Sequence, residues 1–260
     1  MLEALRDTWR HRDLIASFAM RDIKARYKQT ALGAVWAVLQ PLSMMLVFTA
    51  VFSLFARIPS DGIPYPVFAY SSLLFWTFFA NVLSGGTVAM VANSPLIRKI
   101  YFPRETLLIA VIIAGALDLS IASMLFAVLL AYYKITLTLA VLWVIPLLML
   151  QMLFSLAIVS LFSALHVNFR DMGHGLPLLS QLWMFATPVV YPLSVVPKWI
   201  LPIYMLNPMT PIIDGYRRAI LHGTPPDFGA LSVSAILIFV CCGVALTVFK
   251  RAEGTFADVI

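Results

Sequence analysis

Residues 105–132 read ETLLIAVIIAGALDLSIASMLFAVLLAY, and between Glu105 and Lys134 the only charged side chain is Asp118. A bilayer core is crossed by about 20 apolar residues in helical form, so this run predicts a membrane-spanning helix. Similar stretches lie on either side of it. No charge occurs between Lys28 and Arg57, Asp61 and Arg98, Lys134 and Arg170, Asp171 and Lys198, or Asp227 and Lys250. Six spans follow, near 31–56, 67–90, 106–132, 138–165, 174–191 and 228–249. The runs are too long for strands and lack the period-two alternation of a membrane barrel. The predicted fold is an all-α integral membrane protein. It has a cytoplasmic region at 1–30, a transmembrane domain at 31–249 and a cytoplasmic tail at 250–260.

Composition agrees. The chain has 62% hydrophobic and 12% charged residues, against roughly 45–50% and 25% in soluble domains. A soluble enzyme, a disordered tail and a free-standing nucleic-acid-binding domain are excluded as classes. The net charge of +6 matters through its placement, because Lys and Arg accumulate on the cytoplasmic side. With both termini inside, thirteen of the eighteen Lys and Arg residues are cytoplasmic, and Arg57, Lys134, Lys198, Arg217 and Arg218 are outside. No cleavable signal peptide is expected, since the first thirty residues are charged and lack a short apolar core.

From Arg12 to Thr30, Ile15, Ala19, Ile23 and Tyr27 recur every four residues, joined by Leu14 and Phe18, while Arg21, Lys24 and Lys28 take another face. This predicts a basic amphipathic helix lying in the plane of the inner leaflet, or else a solvated helix leading into the first span. Between spans 5 and 6, Pro188, Pro192, Pro197, Pro202, Pro208 and Pro211 interrupt an aromatic stretch with Tyr191, Trp199 and Tyr204. Prolines forbid one continuous helix. Two short helices dipping into the outer leaflet are expected there, the alternative being an ordinary outer loop with an aromatic belt.

Catalytic signatures are missing from the sequence. No glycine is followed by lysine, so there is no P-loop, and H-E-x-x-H, C-x-x-C and G-x-S-x-G are absent. Cys241 and Cys242 are adjacent and supply neither metal spacing nor a disulfide framework. His11, His166, His174 and His222 are expected in loops or termini, and no metal site is expected. A secondary transporter would show several intramembrane charges or an inverted repeat. A membrane transferase would cluster its loop carboxylates, whereas Asp61, Asp171, Asp214 and Asp227 are scattered. Transport without catalysis in this chain remains.

The membrane edges carry further motifs. Lys24-Ala25-Arg26-Tyr27-Lys28-Gln29-Thr30-Ala31-Leu32-Gly33-Ala34-Val35-Trp36 precedes Leu39-Gln40-Pro41. Leu96-Ile97-Arg98-Lys99-Ile100-Tyr101-Phe102-Pro103-Arg104-Glu105 joins spans 2 and 3, and Phe169-Arg170-Asp171 follows span 4. Asn207-Pro208-Met209-Thr210-Pro211-Ile212-Ile213-Asp214-Gly215-Tyr216-Arg217-Arg218 precedes span 6. In order and spacing these segments resemble the polysaccharide-exporting ABC-2 permeases over essentially the whole chain. The nearest likeness is to permeases of O-antigen export; teichoic-acid and capsule permeases are near relatives. An exporter of a small amphiphile or drug is the alternative within the class.

The resemblance implies a homodimer in the bacterial inner membrane, bound to two copies of a separate ATPase. That ATPase would hold the ATP and Mg, and this chain no cofactor. The substrate would be an undecaprenyl-diphosphate-linked polysaccharide, passing between subunits along spans 1 and 5; nucleic acid is not a partner. It places the ATPase-coupling surface on Ser94, Arg98, Lys99, Tyr101, Phe102 and Arg104. There Ser94 would cap a short helix, and Ile97, Ile100, Tyr101 and Phe102 would form an apolar plug. Arg170 and Asp171 are a second contact or else a local cap or salt bridge.

Phe48, Phe52, Phe55, Trp183, Phe185 and Tyr191 are expected either to line a channel for sugar rings or to sit as interfacial aromatics. Arg21, Lys24, Arg26 and Lys28 are candidates for docking the lipid diphosphate or anionic lipids. Arg217 and Arg218 would complement anionic sugars or anchor span 6. A mid-bilayer Asp costs roughly 2.5–3.5 kcal/mol, so Asp118 should face the bundle. It is then either a packing anchor bonded to Gln151 or Asn81, or a substrate or proton contact.

Overall fold

The computed structural model describes residues 11–28, 33–254 and 256, and these are helical with no strand. Several expectations lie outside the described residues: Arg6 and Arg10 of the charge tally, Gln29 to Leu32 of the first motif, and the last residues of the tail. The helices are α1 (Arg12–Tyr27), α2 (Val35–Phe48, continued by a π-helix over Thr49–Phe55), α3 (Tyr65–Ala92), α4 (Ser94–Ile97) and α5 (Glu105–Tyr132). A 3-10 turn at Leu139–Trp143 leads into α6 (Val144–Asn168), followed by α7 (Met172–Phe185) and α8 (Leu201–Met205). Last come α9 (Met209–Arg217, continued by a π-helix over Arg218–His222) and α10 (Phe228–Glu253). Long helices satisfy every backbone group internally, which a segment surrounded by lipid requires.

Among the described residues, five segments are long and apolar enough to cross a membrane: Val35–Ser53, Tyr65–Ala92, Glu105–Tyr132, Leu139–Asn168 and Phe228–Glu253. The span expected at 174–191 is different. α7 has 14 residues, about 21 Å at 1.5 Å per residue, short of a ~30 Å core. It ends at Phe185, because Pro188 and Pro192 lie just beyond and cannot donate to a continuing helix. Two short helices do follow, α8 and α9.

α3 is the central element, buried on nearly all sides among α2, α5, α6, α7 and α9. α3 and α6 run in the same direction, with Phe79 stacked on Phe154 (5.7 Å) and Gly86 facing Val159. Close approach of membrane helices depends on small residues at the crossing. A Cβ added at Gly86 would lie 2.3 Å from Val159 Cγ1, and one at Gly115 would lie 2.8 Å from Val82 Cγ2. Gly86→Val is therefore expected to overpack the α3–α6 crossing by about 1–3 kcal/mol. The purified protein should melt several degrees lower, while Gly243→Ala, with nothing within 4 Å, should not lower the melt, since Ala suits a helix interior better than Gly.

One polar node locks this core. Gln151 is fully buried; it donates to the Phe75 carbonyl (2.8 Å) and accepts from the Tyr216 hydroxyl (2.8 Å). The Tyr216 ring stacks on Phe75 at 3.5 Å. α3, α6 and α9 are thus joined by groups that would be costly to leave unpaired. At one end of the bundle Gly223 takes a left-handed φ of 64° against Thr138, and Asp227 caps α10 by accepting from Gly229 N (2.9 Å) and Ala230 N.

α1 does not lie apart from the bundle. Its face of Ile15, Phe18 and Ala19 is buried against protein, with the Phe18 ring 5.6 Å from Phe102. Further along, Arg26 and Tyr27 reach Asp118. Glu105 to Asp118 is about 20 Å of helix, so α1 packs along the first half of α5. Its apolar face prefers α5 because packing there also supplies a partner for the buried carboxylate. The histidines differ from expectation too: His166 is buried in the last turn of α6, His174 lies in α7, and His222 ends the extension of α9.

Candidate functional site

The basic segment between α3 and α5 divides into an exposed tip and two anchored shoulders. Ser94 is the first residue of α4 and caps nothing; the N-cap is Asn93, whose side-chain amide donates back to Ala89 O (2.8 Å). Ile97 and Phe102 point inward, each 5% exposed, so they are not part of an outward plug. Ile100 and Tyr101 form the tip, at 58% and 89% exposure, with Arg98 and Lys99 exposed beside them. Arg104, expected to face an ATPase, instead pairs with Glu253 at 3.2 Å. Next to it Lys250 bridges Glu105 (2.5 Å) and Glu253 (2.9 Å). This clasp ties the start of α5 to the end of α10, and within the C-terminal segment Phe249 packs on Phe256. The short segment is therefore mounted on two long helices.

Because α3 and α6 are parallel, Ala92 and Asn168 end at the same side of the bundle. Phe169, Arg170 and Asp171 are exposed there. Asp171 occupies the N-cap position of α7 without a side-chain bond, so the segment is not consumed by a local cap.

The six aromatic candidates separate into groups. Phe48 contacts Phe52 (5.6 Å) and Phe185 (6.4 Å), making one strip across α2 and α7. Phe55 is 82% exposed; α-helical spacing would have stacked it over Phe48, but the wider i→i+5 turn of the π-helix rotates it away. Trp183 turns into the bundle, edge-on to Phe79 (5.2 Å) and Phe154 (5.9 Å), with its indole N–H donating to Asn207 (3.1 Å). The Tyr191 hydroxyl donates to the Phe185 carbonyl (2.7 Å) and meets the Tyr204 hydroxyl (3.0 Å); burial pushes its phenol upward.

Arg217 is not a surface anchor at the start of the last span. It is 3% exposed and lies in α9, 3.9 Å above the Phe68 ring. It donates to the carbonyls of Tyr191 (3.0 Å) and Val189. The non-helical backbone after α7 leaves those oxygens without helical partners, and in apolar surroundings they need a donor. Burial lowers the guanidinium to about 9, which leaves it charged at neutral pH. Arg218 pairs with Asp214 at 2.7 Å.

The basic residues of α1 also have structural duties. Arg21 pairs with Asp22 (2.9 Å) and sits over the Phe18 ring. Arg26 pairs with Asp118 at 2.5 Å, and Tyr27 donates to the same carboxylate. Burial, and then that hydrogen bond, push the Tyr27 phenol upward. Gln151 and Asn81, the expected partners of Asp118, do not hold it; Gln151 belongs to the core node. Lys24 and Lys28 remain exposed.

Residues 13–221 match the ABC-2 type transporter family. The chain is 31% identical over 263 residues to the O-antigen export system permease protein RfbA of Myxococcus xanthus, covering both chains completely. It is 28% identical over 249 residues to the protein of the same name from Klebsiella pneumoniae, covering 95% of each. To the polysialic acid transport protein KpsM of Escherichia coli it is 22% identical over 245 residues, covering 92% of this chain and 93% of that one. With five apolar helices of membrane-crossing length among the described residues and a family match over most of its length, this chain belongs to the ABC-2 type transporters, as a multi-pass membrane permease.

Proposed function

We propose that this chain is the transport subunit of a bacterial inner-membrane exporter that carries an undecaprenyl-diphosphate-linked polysaccharide, O antigen foremost, from cytoplasm to periplasm. The observation that carries the reading is the end-to-end likeness to permeases named for O-antigen export. Two copies pair to enclose the path, and two copies of a separate ATPase drive it, because no P-loop exists in this sequence. ATP and Mg belong to that partner.

The positive-inside pattern turns the basic end to the cytoplasm. Ile100 and Tyr101 then enter a cleft on the ATPase, with Arg98 and Lys99 at its rim and Arg170 and Asp171 making the smaller contact. The clasp of Arg104, Glu105, Lys250 and Glu253 passes the nucleotide-driven movement to α5 and α10. Lys24 and Lys28 attract the diphosphate of the carrier. The strip of Phe48, Phe52 and Phe185 offers ring faces to sugars, a contact with little directional demand that a sliding polymer tolerates.

The test is genetic and chemical together. Deleting the gene should remove the surface polysaccharide and leave lipid-linked chains inside, and the wild-type gene should restore export. Phe52→Ala with Phe185→Ala should lower surface polysaccharide at unchanged protein abundance. Unchanged polysaccharide in that variant would assign the rings to the membrane interface. A capsule glycan is the second reading, favoured by the likeness to the polysialic acid transport protein.

A further inference from the structure

Where α1, α2, α3 and α5 meet, the structure has an open cleft of about 440 Å³ lined by Arg26, Tyr27, Trp36, Gln40, Asn81, Ser84 and Asp118, among others. Its size lies within the range of small-ligand sites, roughly 300–1,000 Å³. Ser84 and Asn81 are in the half of α3 nearer the basic end, and Trp36 and Gln40 are in the first turns of α2. The cleft therefore opens at the depth of the leaflet on that side.

Three features mark it as a binding site. Among the described residues the side chains of Gln40, Asn81 and Ser84 make no hydrogen bond with protein, although all three belong to segments that cross the membrane. Polar groups at that depth are costly unless they face water or a ligand. Second, Trp36 is 51% exposed and lends the cleft an aromatic surface. Third, Arg26 and Asp118 neutralise each other across 2.5 Å, so the cleft is polar without a strong net charge. An acyl chain would leave the amides unsatisfied, and a phosphate would meet the Asp118 carboxylate. A sugar ring fits, since its hydroxyls both donate and accept and its C–H face stacks on indole.

We propose that this cleft is a glycan-binding subsite for the sugar nearest the lipid carrier, with Gln40, Asn81 and Ser84 as hydrogen-bonding groups and Trp36 as the stacking surface. It deepens the exporter reading and rests on it: the diphosphate engages Lys24 and Lys28, and the first sugar seats alongside Asp118.

The test uses the permease with its ATPase partner in lipid nanodiscs and three probes. These are a short polyprenyl diphosphate, the same carrier bearing one N-acetylglucosamine, and the same carrier bearing one galactose. The wild type should bind at least one sugar-bearing probe about tenfold more tightly than the bare carrier, the yield of one or two net hydrogen bonds plus stacking. Asn81→Leu with Gln40→Leu should erase that preference without lowering the melting temperature, as both changes suit an apolar setting. Trp36→Ala should reduce it. Equal affinity of the wild type for all three probes, or a preference that survives Asn81→Leu with Gln40→Leu, overturns the subsite. If the double variant also restores full export to the deletion strain, the subsite falls while the exporter reading stands. If the deletion itself leaves surface polysaccharide intact, it is the exporter reading that fails.

Discussion

Asp118→Leu strongly lowers the amount of folded permease in the membrane, and adding Arg26→Met in the same chain recovers part of it, since the Tyr27 hydroxyl still lacks its acceptor. The side chains of Arg26 and Asp118 are 34% and 15% exposed, so the pair sits largely out of water. Breaking a buried pair from one side costs about 3–5 kcal/mol, whereas replacing both partners by apolar groups is often neutral. The partial exposure of Arg26 places the single change at the lower end of that range, still a large fraction of the stability of any domain. Arg26→Met alone should do less damage, because the Asp118 carboxylate in the middle of α5 loses its countercharge but still accepts from the Tyr27 hydroxyl. Abundance by immunoblot and melting in detergent give the cycle of two single variants and one double. Polysaccharide export should remain low in the double variant, since both residues line the cleft. Wild-type abundance and melting for Asp118→Leu alone would show that the ion pair does not hold α1 to α5.

Tyr101→Ala with Ile100→Ala abolishes export while leaving the permease folded. Tyr101 is 89% exposed and contributes no core packing. An apolar anchor filling a partner's pocket is commonly worth 2 kcal/mol or more, a loss of tenfold or greater in affinity for the ATPase. Co-purification of the ATPase should fall by that factor, with the melting temperature of the isolated permease unchanged. Phe102→Ala is the contrasting case: Phe102 is buried against Phe18, and truncating a buried Phe costs about 3–5 kcal/mol. That variant should melt lower and bind the ATPase poorly only through misfolding. Intact assembly and export in the Tyr101 and Ile100 variant would remove this segment from the coupling surface.

Much of the coupling segment was legible in the sequence, because an exposed basic loop between two apolar runs is a local pattern. Its division into tip and shoulders was not. Ile97 and Ile100 are chemically alike, and only the approach of α1 decides that one side of the segment is buried. Arg104 reads as one more cytoplasmic charge until the far end of the chain brings Glu253 beside it. Phe48 and Phe52 could be paired from spacing, but Phe55 could not be excluded, since a π-helix leaves no clear mark in TAVFSLF. Nothing near Arg217 in the sequence announces a buried guanidinium; its partners are carbonyls of a proline-broken segment that only folding carries to it.

By itself the sequence determined the solvent. So few charges, spaced by runs of bilayer length, permit only helices in lipid, and Asp118 in the run that forms α5 must find a partner within the protein. The tertiary structure decided which partner. Arg26 and Tyr27 are distant from Asp118 along the chain, and no periodicity encodes a contact between separate helices. That contact joins the amphipathic helix α1 to α5. It also closes one side of the cleft that Gln40, Asn81 and Ser84 line. The apolar pattern of a helix states which face must leave water, whereas which neighbour receives it depends on the shapes and charges of every other helix in the bundle.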